Sequence, residues 1–259
     1  MKSAMSEKTI NSKSIAFVSM MSAIGTILAL LSLYLVPLVG QQVALDLSHI
    51  GTYIVALSGG PLLGLITGAL VGFLPSYRFA NPAIIPGKMM TGIFIGLFYG
   101  LFQKITAVRE KKYLTVIAII VSGLCGYIPE SIFTWWDLKY IVGLPDFYVI
   151  PIIIKAWVEI IVITVLMAII LNINYIKSQL SHLIGDQIKL SVYDYLLSAI
   201  ITIPIFSITF YFASLNQLIP IDIWNLKPDV FLMILWISLS VELGLIITMV
   251  VYYFFTKHK

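Results

Sequence analysis

The sequence predicts an all-α integral membrane protein, a polytopic helical bundle of eight transmembrane spans. Three observations predict it. Of 259 residues, 60% are hydrophobic and 11% charged, with mean hydropathy +1.01, whereas soluble domains carry about 25% charged residues. Such a chain lacks the polar residues to cover a water-facing surface. Eight apolar runs punctuate it, most near the roughly 20 residues that a hydrocarbon core about 30 Å thick demands. Basic residues gather in alternate connections, as the positive-inside rule describes.

Residues 1–14 are polar and carry Lys2, Lys8 and Lys13. The apolar run that follows outlasts a signal-peptide core and meets no small-residue cleavage site, so 15–36 reads as a retained first span. The runs at 43–58 and 61–76 are short, and only Ser58, Gly59, Gly60 and Pro61 separate them, a tight-turn sequence. Runs at 86–103, 113–136, 149–173, 191–214 and 230–255 complete the eight. With a cytoplasmic N-terminus, Lys2, Lys8, Lys13, Lys104, Arg109, Lys111, Lys112, Lys177, Lys189, Lys257 and Lys259 all fall inside, 11 of the 16 basic residues. Seven spans would leave one lysine-bearing terminus outside. The expectation is a multi-pass protein of the cell membrane with both termini cytoplasmic.

Small residues set the packing. Gly60, Gly64, Gly68 and Gly72 repeat every fourth residue, as do Gly92, Gly96 and Gly100. Residues four apart share a helix face, and such glycine grooves let backbones approach in lipid. The first span carries two small-residue faces, Ala16, Ser19, Ala23 and Thr26 on one, Ser22, Gly25, Ala29 and Ser32 on another. One can pack inside the bundle. The other is left for a second chain or for lipid.

Charges inside spans are costly and tend to be paired or to line wet cavities. Glu130 follows Pro129, and Tyr127, Glu130, Thr134 and Trp135 fall near one helix face. Lys155 and Glu159 sit at i and i+4, within pairing reach, and Glu242 stands alone in the last span. Lys155–Glu159 reads either as a self-neutralising structural pair or as part of an outward cavity with Glu130. In that cavity Trp135 or Trp136 would form a stacking wall, and Arg78, Asn81 and Lys88 could close the mouth. The tryptophans also read as an aromatic belt at the headgroup level. His49, near the start of the second run, reads more simply as a capping or interface residue.

Several chemistries are not encoded. There is no phosphate-binding Gly-Lys-Ser/Thr loop and no His-Glu-x-x-His, and His49, His182 and His258 are scattered. The single Cys125 excludes an internal disulfide framework. No basic aromatic patch suits nucleic acid. An enzyme is not expected, nor is a cofactor or metal.

Four stretches carry a family resemblance across residues 14–175. They are Ile15-Ala16-Phe17-Val18-Ser19-Met20-Met21-Ser22-Ala23, Leu45-Asp46-Leu47-Ser48-His49-Ile50, Gly60-Pro61-Leu62-Leu63-Gly64, and Pro86-Gly87-Lys88-Met89-Met90-Thr91-Gly92 running to Gly96 and Gly100. With these the chain resembles the substrate-binding S components of energy-coupling factor (ECF) vitamin transporters. The resemblance implies six helices, a loop between the first two that covers an outward pocket, and a vitamin-like small-molecule ligand. It also implies partners: a membrane coupling subunit and two ATPases, with transport by toppling of the bundle. Family members dock through an Ala-x-x-x-Ala pattern on the first helix. Here Ser19 and Ala23 take that place, with Ala16 and Thr26 on the same face, so the first alanine is replaced by another small residue. On this reading residues 1–175 form the substrate-binding core, and 176–259 add an amphipathic or loop segment and two further spans.

The competing expectation is a stand-alone secondary transporter coupled to protons or cations through Lys155/Glu159 or Glu242. Such transporters often show inverted repeats and interrupted helices, and no repeat relates 1–130 to 131–259.

Overall fold

The computed structural model describes residues 12–35, 37–39, 43–44 and 46–184. The expected seventh and eighth spans, with Glu242, lie outside the described residues, as do Lys2 and Lys8. Helix α1, Ser12–Leu35, is apolar throughout and ends where Pro37, lacking an N–H, cannot continue it. Strand β1, Pro37–Val39, then pairs antiparallel with β2, Val43–Ala44. Helix α2 occupies only His49–Gly59. This corrects the expected second span at 43–58, whose first residues count as apolar but pair as a hairpin. Eleven residues rise only about 16 Å, so α2 does not cross a bilayer alone.

Gly60 sits between α2 and α3 at φ 88°, a conformation that favours glycine, and Pro61 opens α3, Pro61–Phe79, at its first position. After a left-handed Ala80, α4 runs Ile84–Phe102. A short α5, Thr106–Glu110, leads into α6, Lys112–Trp136, which continues as a π-helical turn over Asp137–Ile141. Helix α7 spans Asp146–Ile170 and α8 spans Asn174–Ile184. Among the described residues, five helical stretches are long and apolar enough to cross a membrane: Ser12–Ser32, Pro61–Phe79, Ile84–Phe102, Lys112–Ile141 and Asp146–Ile170. Five of the expected spans are thus helices of membrane length, and α2 is a short sixth.

The glycine rows mark where α3 and α4 meet. A Cβ built on Gly64 would lie 2.5 Å from the Gly92 carbonyl oxygen, and one on Gly96 would lie 2.5 Å from the Pro61 nitrogen. Gly68 is pressed against the Lys88 carbonyl in the same seam. Backbone contact of this kind supplies the packing that lipid does not drive. Tyr53, Ile95, Ile119, Ile160 and Met167 form a buried core shared by α2, α4, α6 and α7, and the Tyr53 hydroxyl donates to the Gly123 carbonyl at 3.0 Å.

The two small-residue faces of α1 separate cleanly. Ser22, Gly25, Ala29 and Ser32 are buried, and a Cβ on Gly25 would lie 2.8 Å from the Ser48 carbonyl oxygen. Ala16, Ser19 and Ala23 are exposed and Thr26 is half-buried, its hydroxyl donating to the Ser22 carbonyl. Leu180 of α8 packs against Phe17, Val18, Val55 and Leu63. The division expected at residue 175 therefore falls inside a helix that rests on the core.

Candidate functional site

The bundle order places six helix ends together. The C-terminal parts of α1, α3 and α6 and the N-terminal parts of α2, α4 and α7 meet at one end, opposite the basic α4–α6 connection with Lys104, Arg109, Lys111 and Lys112. A cavity of about 530 Å³ opens there. That is the size range of small-molecule sites, about 300–1,000 Å³. Its walls are chiefly apolar, with Phe133, Leu138, Val142, Leu144 and Ile152 prominent, and Ala29 is the contribution of α1.

Of the expected ligand-contacting residues, the structure brings six to this cavity: Arg78, Asn81, Tyr127, Glu130, Lys155 and Glu159. Trp135 and Trp136 are not on its wall. The stacking wall expected of them is corrected on geometry: Trp135 is five residues from Glu130, about 140° around a helix of 3.6 residues per turn, so it does not share the face that Glu130 presents to the cavity. Trp135 is 38% exposed, edge-on to Tyr140, with the Lys139 ammonium 5.3 Å from its ring. Trp136 lies against Phe133, ring centroids 6.0 Å apart, beside Ala83 and Met90.

Lys88, expected at the mouth, is buried at 1% exposure. Its ammonium donates to the Asp46 carboxylate at 2.6 Å and the Ser48 hydroxyl at 2.7 Å, and lies 3.2 Å from His49 Nε2. Burial alone would raise the Asp46 carboxyl, but the Lys88 charge and its hydrogen bonds outweigh that and hold it below the usual carboxylate range. Asp46 also accepts from the Ser48 N–H at 3.0 Å, a local turn bond that starts α2. The Asp46 N–H in turn donates to Glu159 at 3.1 Å, and Glu159 pairs with Lys155 at 3.0 Å. One chain of polar contacts thus ties the α1–α2 connection to both α4 and α7.

On α6, Glu130 accepts a hydrogen bond from Thr91 and lies 3.6 Å from His49 Nε2. The Lys88 ammonium can only donate, so His49 Nε2 can accept from it when the ring is neutral with its proton on Nδ1. Below the last turn of α6, Asp137 accepts from the Asn81 amide, while Asn81 Oδ1 accepts from the Ala83 N–H at 3.0 Å. Asp137 Oδ1 is buried and has no hydrogen-bond partner among the described residues.

Asp46, Lys88, Thr134 and Asp137 line the cavity as well, and so does His49. Asp137 escaped the sequence reading because it looks like the first residue of a loop. Its position seven residues after Glu130 could have found it, since seven residues return a helix to nearly the same face.

The family profile described as "ECF transporter, substrate-specific component" matches residues 13–171. No curated protein and no solved structure matches the chain. The matched stretch runs from the start of α1 to the end of α7 and includes every described residue that lines the cavity. The chain belongs to the family of ECF transporter substrate-specific components.

Proposed function

We propose that this protein captures a vitamin or related micronutrient on the outer face of the cell membrane and delivers it inward with a coupling subunit and two ATPases. The observation that carries the reading is the cavity of about 530 Å³ at the end of the bundle away from the basic connection. Basic connections favour the cytoplasmic side, so this end faces out, with both termini inside. The apolar walls would hold the body of the ligand, and Glu130, Lys155, Glu159, Asn81, Tyr127 and Arg78 would orient it. The exposed face of α1, with Ala16, Ser19, Ala23 and Thr26, would rest on the coupling subunit. Residues 176–259 would serve as an appendage to this core.

Co-expression with a tagged coupling subunit and its ATPases tests the reading. The chain is expected to co-purify with them, and the complex in liposomes to accumulate the bound small molecule only with internal ATP. Accumulation by the chain alone under an ion gradient would instead establish the stand-alone transporter and overturn the proposal.

A further inference from the structure

The cavity presents an uneven distribution of charge. Seven ionisable side chains line it: Arg78, Lys88 and Lys155 against Asp46, Glu130, Asp137 and Glu159. Two of the acids are neutralised within the wall, Asp46 by Lys88 at 2.6 Å and Glu159 by Lys155 at 3.0 Å. Arg78 is exposed in the last turn of α3, its guanidinium 5.6 Å from the Phe79 ring centre. Glu130 and Asp137 differ from the other two acids. Both are buried, and among the described residues neither lies within ion-pairing distance of a lysine or arginine. Their partners Thr91 and Asn81 are neutral donors that aim a carboxylate without cancelling its charge. His49 Nε2 lies 3.6 Å from Glu130 but 3.2 Å from the Lys88 ammonium, whose like charge opposes protonation of the ring.

Asp137 is 3% exposed and, among the described residues, its Oδ1 is an acceptor with no partner at the cavity wall. A carboxylate ion accepts about four hydrogen bonds and only accepts. Burying one without a cation is unfavourable, and an occupant bearing positive charge would remove that cost. An organic anion would face the opposite balance, with both lysines of the interior already engaged. A metal ion does not fit either. Glu130 and Asp137 are seven residues apart on one face, about 10 Å along the axis, and oxygen ligands of one hard cation lie about 2.3–2.6 Å from it. Much of the remaining wall is apolar, with Phe133, Leu138, Val142 and Ile152 on it.

We infer that the cavity takes an organic cation, an apolar ring-sized body carrying N–H donors that Glu130 and Asp137 receive. The inference rests on the capture reading above and names the substrate class of that site.

The purified chain is titrated with 4-aminobenzamidine, a planar amidinium, and with 4-aminobenzoate, its counterpart of opposite charge. The amidine is expected to bind saturably and at least about tenfold more tightly than the benzoate, and Glu130→Gln or Asp137→Asn to weaken it about tenfold or more. Melting temperature is followed in parallel, and the wild-type comparison of the two probes stands whether or not the variants fold. Equal or tighter binding of the benzoate overturns the inference, as does an amidine affinity unchanged in both variants. So does the absence of saturable amidine binding at millimolar concentration. None of these results bears on co-purification with the coupling subunit and ATPases, which tests the capture reading without reference to charge.

Discussion

Replacing Lys88 with methionine removes the ammonium that holds Asp46, Ser48 and His49 together and leaves the Asp46 carboxylate without its cation. Breaking a buried pair from one side costs roughly 3–5 kcal/mol, so a large fall in the thermal midpoint in detergent is expected. A midpoint within the scatter of wild type would show that the α1–α2 connection is held by other contacts. The same pair fixes a pH dependence. Asp46 is held below the usual carboxylate range, so its contribution is fully present above about pH 4 and is lost only as stronger acid protonates it in the folded state. Between pH 8 and 5 the difference in stability between wild type and Asp46→Asn should therefore stay constant, which thermal melts across that interval check. Among single residues, Lys155 and Glu159 were legible because their i, i+4 spacing specifies a pair wherever a helix forms. Lys88 was not, because its three partners lie about forty residues away in the chain.

The seam between α3 and α4 is the element on which the cavity depends, since Arg78 and Asn81 sit at its end and Lys88 and Thr91 lie within it. Gly92→Leu forces a side chain into the backbone of Gly64 and Leu65. Overpacking of this kind costs typically 1–3 kcal/mol and occasionally more; with backbone as the obstacle the upper part of that range is expected, read as a lower melting temperature. Gly87→Ala provides the contrast: its Cβ would meet Glu130 Cγ and Phe133 Cδ1 at an ordinary 3.5 Å, and its melting temperature should stay close to wild type. An equal loss in both variants would mean that the seam is no tighter than the rest of the bundle. The four-residue glycine spacing announced both helices and the face each presents. It did not show that the two faces meet each other, because spacing along one helix carries no information about its neighbour. The second span failed differently. Hydropathy counts Val43 and Ala44 as membrane residues, and only pairing with Pro37–Val39 reveals them as a hairpin.

For the molecule as a whole, the open question is what the exposed small-residue face of α1 touches. Ser22, Gly25, Ala29 and Ser32 are consumed by packing inside the bundle, which leaves Ala16, Ser19 and Ala23 facing outward. Ala23→Trp should abolish co-purification with the coupling subunit and ATP-dependent uptake, while ligand binding to the isolated chain stays within about twofold of wild type, as expected of a surface change away from the cavity. Ser19→Trp should do the same. Loss of ligand binding in both variants would remove α1 from the docking role and make its outer face part of the bundle's own stability.

The sequence by itself determined the membrane environment, most of the spans and the packing faces of α1, α3 and α4. These follow from hydropathy and from helical periodicity, both properties of contiguous residues. It also offered an outward-opening cavity with Glu130, Lys155 and Glu159 as one of two readings, the other being a self-neutralising pair. Tertiary structure alone decided which of those groups share a wall. It placed Trp135 and Trp136 off the cavity, drew Lys88 away from the mouth into the Asp46–Ser48–His49 cluster, and set Asp137 beside Asn81 with one oxygen unpartnered among the described residues. The physical reason is that the charge balance of a cavity is a sum over several helices, and residues about forty to over a hundred apart in the chain contribute to it.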